Sequence, residues 1–251
     1  MKMSLMIALT FALAALTVMA DAAQPAAKKP HRKFHRKPTG GLLLREAPKS
    51  YICVRDRQTA FKPEEIDAAI SKIARGLTMA IRRIDADAKP DDCKVEIVLE
   101  DVLKAGGADR TILAAPEQGW ATLATVWLAK DADTEDIRAR RLHLELMRAV
   151  GMAMGVGVSM YQPCVMTSVR GIKDVDAIQL DTPGPEGINN FEKGAVTFGV
   201  DRLKLTTYRM ACQEGWAPAP TNDIQKAIWK KVHELPSSPL KIKPETKKVA
   251  E

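Results

Sequence analysis

Leu142-His143-Leu144-Glu145-Leu146-Met147-Arg148-Ala149-Val150-Gly151-Met152-Ala153-Met154, followed after a gap by Gln162-Pro163-Cys164-Val165-Met166, is the stretch on which the fold turns. Its first part ends a helix predicted from about Asp133 to Val150, with Asp133 as N-cap and Gly151 as stop. Leu142, Leu146, Met147, Ala149 and Val150 supply an apolar face. Residues four apart share a helix face, so positions 144 and 148 look the same way. A carboxylate at 145 on an inward face needs a partner, and Arg148, three residues on, is placed to provide it.

Working outward, Tyr51-Ile52-Cys53-Val54 reads as a short strand. Ile66, Ile70, Ile73, Leu77, Ile81 and Ile84 recur at three and four residues after Pro63, predicting an amphipathic helix over 63–85. Lys94–Leu99 alternates as a strand behind the Lys89-Pro90-Asp91-Asp92 turn. Gly106-Gly107 opens a loop, and Ala121–Leu128 is β-prone. Trp120 and Trp127 flank that last strand, as packing residues or as contacts for a bound segment. A Gly- and Pro-rich stretch runs to about Gly199, and helices are predicted near 201–213 and 222–234. The order describes an α+β chain whose first strand–helix–strand unit forms a parallel pair, with the later strand antiparallel at an edge.

The termini carry different information. Met1-Lys2, an apolar run from Leu5 to Met19 and the small-residue site Ala20-Asp21-Ala22 form the pattern of a secretory signal peptide over residues 1–22. The run is short of the roughly 20 apolar residues of a spanning helix, and no later segment is apolar enough to span. Residues 23–40 (AQPAAKKPHRKFHRKPTG) are expected to be a disordered basic tail, residues 41–235 the folded domain and residues 236–251 a second flexible tail. Six basic residues against Asp21 give residues 21–40 a net +5, and Lys2 accounts for one more of the total +7. That leaves +1 on residues 41–251. A basic footprint on the domain itself is therefore missing, which argues against nucleic-acid binding. The basic residues at 28–37 suit weak contact with an anionic surface.

Taken in order, strand–helix–strand, strand, long helix, Cys-Val-Met segment and closing helix, residues from about 50 to 212 resemble the metzincin clan of zinc proteases. Its matrixin-like and archaemetzincin-like members carry H-E-x-x-H-x-x-G-x-x-H and then a methionine turn. On that pattern Glu145 stands at the general-base position, Gly151 at the turning glycine and Met166 at the methionine beneath the metal. Leu144, Arg148 and Met154 occupy the three histidine positions. Asp201–Tyr208 is similar to the helix, ending in a tyrosine, that closes many matrixin-type domains.

The resemblance implies a twisted mixed sheet of about three to five strands, a long motif helix, a methionine turn and C-terminal helices. It also implies a substrate cleft bordered by the 121–128 strand, able to pair with an extended peptide. Leucine offers no donor atom, arginine brings a fixed positive charge and a thioether is a poor zinc ligand, so no metal or other cofactor is expected. The expectation is an extracytoplasmic, inactive relative of metallopeptidases with a binding or scaffold role. An active peptidase with other ligands, or an unrelated envelope protein, remains the alternative. Neither a G-x-S-x-G nor a Walker loop is present to suggest another chemistry. If the three ligand positions still surround one point, histidines placed there should bind zinc.

Four cysteines in an oxidising compartment suggest two bridges. Cys53–Cys93 should join neighbouring parallel strands. Cys164–Cys212 should join the methionine turn to the helix expected beneath it.

Overall fold

A computed structural model describes residues 40–105, 108–160 and 164–234. The predicted tails at 23–40 and 236–251 lie, apart from Gly40, outside the described residues, as does the predicted signal peptide. The elements are β1 (Leu42–Leu44), β2 (Tyr51–Asp56), α1 (Pro63–Leu77), β3 (Ile81–Asp85), β4 (Cys93–Glu100), β5 (Leu103–Ala105), β6 (Ala108–Arg110), β7 (Ile112–Ala115) and β8 (Trp120–Ala124). They continue with α2 (Val126–Ala129), α3 (Glu135–Ala153), α4 (Ile172–Ala177), α5 (Pro185–Phe198), β9 (Leu205–Thr207), α6 (Tyr208–Gln213) and α7 (Asp223–Glu234). No described helix is long and apolar enough to cross a membrane.

A five-stranded mixed sheet, in the order β3-β2-β4-β8-β7, carries the domain. All neighbours are parallel except β7, which runs antiparallel to β8 at the edge. Ile52, Cys53 and Val54 are fully buried, as suits a strand with neighbours on both sides. The predicted α+β class with a mixed sheet is what the chain forms. The predicted edge is displaced by one strand. β8 is interior and stops at Ala124, where the Thr125 amide and hydroxyl both donate to the Glu100 carbonyl (2.9 and 3.0 Å). Val126–Ala129 then forms one helical turn, and the edge on this side of the sheet belongs to β7, with β3 at the other end.

The 63–85 helix is likewise shorter than its periodicity suggests. α1 buries Ile66, Ala69, Ile70, Ile73, Ala74 and Leu77, then ends at Thr78, whose φ of 53° is left-handed. Ile81 and Ile84 keep the three-and-four spacing but belong to β3, where Ile81 pairs with Ile52 and Ile84 with Arg55. Ladder bonding to β2 outweighs helix continuation past a left-handed residue.

α3 packs against α1, the sheet and α4, and every residue from Arg141 to Gly151 is buried. A helix buried all round is a central element rather than a surface one. Its N-cap is Thr134, whose Oγ1 accepts from the Ile137 amide at 3.2 Å, one residue later than predicted. Arg141 clamps its first half, donating to both Asp176 oxygens at 2.8 Å and to the carbonyls of Leu128 and Lys130.

α5 was hidden in the Gly- and Pro-rich stretch. Pro185 occupies its first turn and Gly199, with φ of 67°, its C-terminal turn, which are start and stop signals rather than loop signals. Inside it, a Cβ on Gly194 would fall 2.8 Å from the Met154 carbonyl oxygen and 2.9 Å from Met154 Cβ. Gly194→Ala is therefore expected to lower the unfolding free energy by about 1–3 kcal/mol despite alanine's better helix propensity, because backbone must move. Unchanged denaturant midpoints would show that α3 and α5 separate easily.

Near the C-terminus the predicted 201–213 helix begins only at Tyr208. The residues before it form β9, which pairs with β1. Tyr208, Cys212 and Ile228 make a small cluster apart from the main core, and the Tyr208 hydroxyl donates to the Pro218 carbonyl at 2.8 Å. This arrangement corrects one disulfide. Cys164 is a free, buried thiol in the main core, whereas Cys212 is a free, buried thiol in the small cluster. α6 packs on α7, β9 and β1 rather than beneath the 164–166 turn, so the two cysteines are not joined. Cys53 and Cys93 are bridged across β2 and β4 with Cα atoms 5.6 Å apart. Closing a loop of 40 residues contributes about 4 kcal/mol through the unfolded chain. Cys53→Ser with Cys93→Ser should lower the urea midpoint accordingly, and an unshifted midpoint would remove that role.

Candidate functional site

α3 brings Glu145 and Arg148 together inside the protein. Glu145 is fully buried and Arg148 nearly so. Arg148 Nη1 donates to both carboxylate oxygens of Glu145, each at 2.7 Å. Burial pushes the Glu145 carboxyl above its ordinary range, against the opposing pull of the Arg148 guanidinium. Both oxygens of the carboxylate are thereby satisfied without reaching solvent.

Leu144, the preceding residue, is fully buried among the core side chains and has no polar atom to offer. Met166 lies against Gly151. A Cβ there would stand 2.8 Å from Met166 Cε, 2.9 Å from its Sδ and 2.9 Å from Phe191 Cζ. The glycine's use is thus close approach, not helix termination. The helix runs on to Ala153, and the turn is made by Gly155, φ 75°. The Gly155 amide donates to Met152 (3.1 Å) and the Val156 amide to Gly151 (2.8 Å), closing the last turn.

That extension separates the predicted ligand positions. Positions 144 and 148 share a face, but 154 lies about 9 Å further along the axis than 148 at the usual rise per residue. Met154 packs instead on α5 at Gly194. The structure therefore joins Glu145 to Arg148, Gly151 to Met166 and Met154 to Gly194. Tyr208 stands apart in the C-terminal cluster. Trp120 and Trp127 are half-buried, with Trp127 packed against the main core and its Nε1 donating to the Ala124 carbonyl. The edge strand missed in the sequence is β7, whose four residues are all half-buried.

No family model and no curated protein matches the sequence. Solved structures do. The archaemetzincin of Methanopyrus kandleri superimposes with a TM-score of 0.51 at 12% identity, over 59% of this chain and 96% of that one. A zinc-dependent peptidase from Methanocorpusculum labreanum gives 0.48 at 14% identity, over 56% and 99%. The Archaeoglobus fulgidus archaemetzincin, complexed with malonate, gives 0.47 at 13%, over 56% and 99%. The first of these likenesses shows a shared fold.

Zinc is the group such a fold implies, and the side chains here do not fit it. Leu144 lacks a donor, Arg148 is a cation already engaged by Glu145, and Met154 faces elsewhere. Among the described residues no three His, Cys, Asp or Glu side chains converge on a point.

Proposed function

We propose that this is an exported protein of metallopeptidase fold that has lost peptidase chemistry and acts by binding, as a pseudoenzyme or scaffold. The observation that carries the reading is the sealed Glu145–Arg148 pair. A general base must reach a metal-bound water. A carboxylate with no exposed surface, held at both oxygens by a guanidinium one turn away, has no such access. The likeness to an archaemetzincin supports peptidase ancestry for the fold, and the motif reading LExxRxxGxxM supports loss of the ligands.

On this reading residues 1–22 are removed on export, 23–40 and 236–251 are tails, and 41–235 is the working domain. The partner is an extended peptide or protein segment. The free edge of β7 favours this partner, because its outer amides and carbonyls have no strand beside them among the described residues. Metal analysis with a peptidase assay on the purified protein tests the proposal. No stoichiometric zinc and no chelator-sensitive cleavage of unfolded substrate are expected. One equivalent of zinc with such cleavage would restore the active-peptidase reading. N-terminal sequencing of the exported protein should begin at Ala23, and an intact Met1 would remove the export step.

A further inference from the structure

The opposite side of α3 holds a group that the pair at 145 and 148 does not use. His143 is 3% exposed, and neither ring nitrogen has a hydrogen-bond partner. Buried polar atoms are almost always paired, so an imidazole with both nitrogens unsatisfied marks a place where something polar belongs. The carbonyls of Ala69 and Asp181 lie near the ring without hydrogen-bond geometry, and Asp181 Oδ2 is 3.9 Å from Nε2.

His143 contributes to the walls of two adjoining hollows between α1, α3 and the 179–183 segment. The larger holds about 750 Å3 and is acidic, with Glu64, Glu65, Glu135 and Asp136 around it. The smaller holds about 360 Å3 and is mostly apolar, with Leu77, Met79, Met147, Ile188 and Phe191. Lys72, His143 and Asp181 belong to both, and Lys72 Nζ meets Asp181 Oδ2 at 2.6 Å where the hollows join.

The carboxylates alone would mean little, since they lie in the first turns of α1 and α3, where acids complement the helix dipole. The unpartnered histidine is the independent sign of a ligand. We infer that the paired hollows bind an amphipathic organic ammonium ion, its head beside His143 on the acidic side and its hydrocarbon in the apolar chamber. Among the described residues Glu64, Glu135 and Asp136 make no ion pair, and of the cations in the wall Lys72 is engaged by Asp181 and only Arg140 has no carboxylate partner, so negative charge is left in excess to attract a cation. Burial, reinforced by Lys72 and opposed by Asp181, pushes the imidazole below its ordinary value. A neutral ring keeps one nitrogen as an acceptor for an ammonium N–H. The volumes are those of small-molecule sites. A metal ion fits less well, because among the described residues no three His, Cys, Asp or Glu side chains converge on a point. This inference goes beyond the binding role proposed above and does not depend on the loss of peptidase chemistry.

The test follows the His143 ring by NMR in the full chain, assigned by replacing His31, His35 and His233. Added n-octylammonium should shift the ring resonance saturably. n-Octanol, of the same length without the charge, should bind about tenfold more weakly, the factor expected for one charge-assisted hydrogen bond. Glu135→Gln with Asp136→Asn, both exposed, should weaken the amine and leave octanol unchanged. Three results would overturn the inference. No saturable shift with either probe would mean that water meets the ring. Equal binding of octanol would mean an apolar hollow only. Tighter binding of acetyl-Leu-Lys-amide would transfer the site from a free amine to a lysine of another protein.

Discussion

Replacing Arg148 with methionine is expected to lower the unfolding free energy by about 3–5 kcal/mol, the cost of leaving a buried charge without its partner. Glu145 has no exposed surface from which to recruit water. The loss should depend on pH in a definite direction. Glu145 is raised from 4.5 by burial, so the folded protein favours the neutral carboxyl. Such a group contributes most below its unfolded pKa, and stability falls as pH rises from there towards the folded pKa. Arg148 is the influence holding that rise down. The methionine variant should therefore be closer to wild type at pH 4 than at pH 7. The double change Glu145→Leu with Arg148→Met removes both charges and should recover much of the loss, since apolar replacements of buried pairs are often neutral or better. Chemical denaturation of wild type, Arg148→Met, Glu145→Leu and the double variant at both pH values measures the cycle. Equal losses at pH 4 and 7, or a double variant as weak as the single, would show that the pair is not sealed from solvent.

The second large effect concerns Leu144→His with Arg148→His and Met154→His. If the three positions surrounded one point, this change would recover zinc. The course of α3 leads to the opposite expectation: no stoichiometric zinc and a destabilised protein. Truncating or exchanging a fully buried leucine such as Leu144 costs about 2–5 kcal/mol, and an unpaired imidazole in its place adds to that. Position 154, on the far side of the final turn and against Gly194, cannot join an imidazole at 148 without unwinding residues 151–153. Circular dichroism and metal analysis would report both parts. A folded variant holding one zinc would show that α3 ends before Gly151 when a metal is offered.

What the residues determined by themselves lies within a few turns or strands of each position. The apolar stripe from Ile66 to Leu77, the strands around Ile52 and Ile97, and the pairing of Glu145 with Arg148 three residues away are local consequences of spacing. The Cys53–Cys93 bridge was legible too, because the two cysteines lie on segments that read as neighbouring parallel strands, and β2 and β4 do pair, with Cys93 opposite Tyr51, two residues from Cys53. Other features depended on partners distant in the chain. Ile81 and Ile84 continue a helical spacing yet form a strand, because β2 offers ladder bonds that no local pattern records. β7 became the edge, and Cys164 and Cys212 went to different clusters, through packing among elements up to a hundred and more residues apart. Gly151 is the clearest case. Its spacing suggested a helix stop, but the tertiary structure uses its missing Cβ to admit Met166 and Phe191, and the stop falls to Gly155. A glycine relieves backbone strain and steric crowding alike, and only the neighbours brought by the fold decide which of the two it serves.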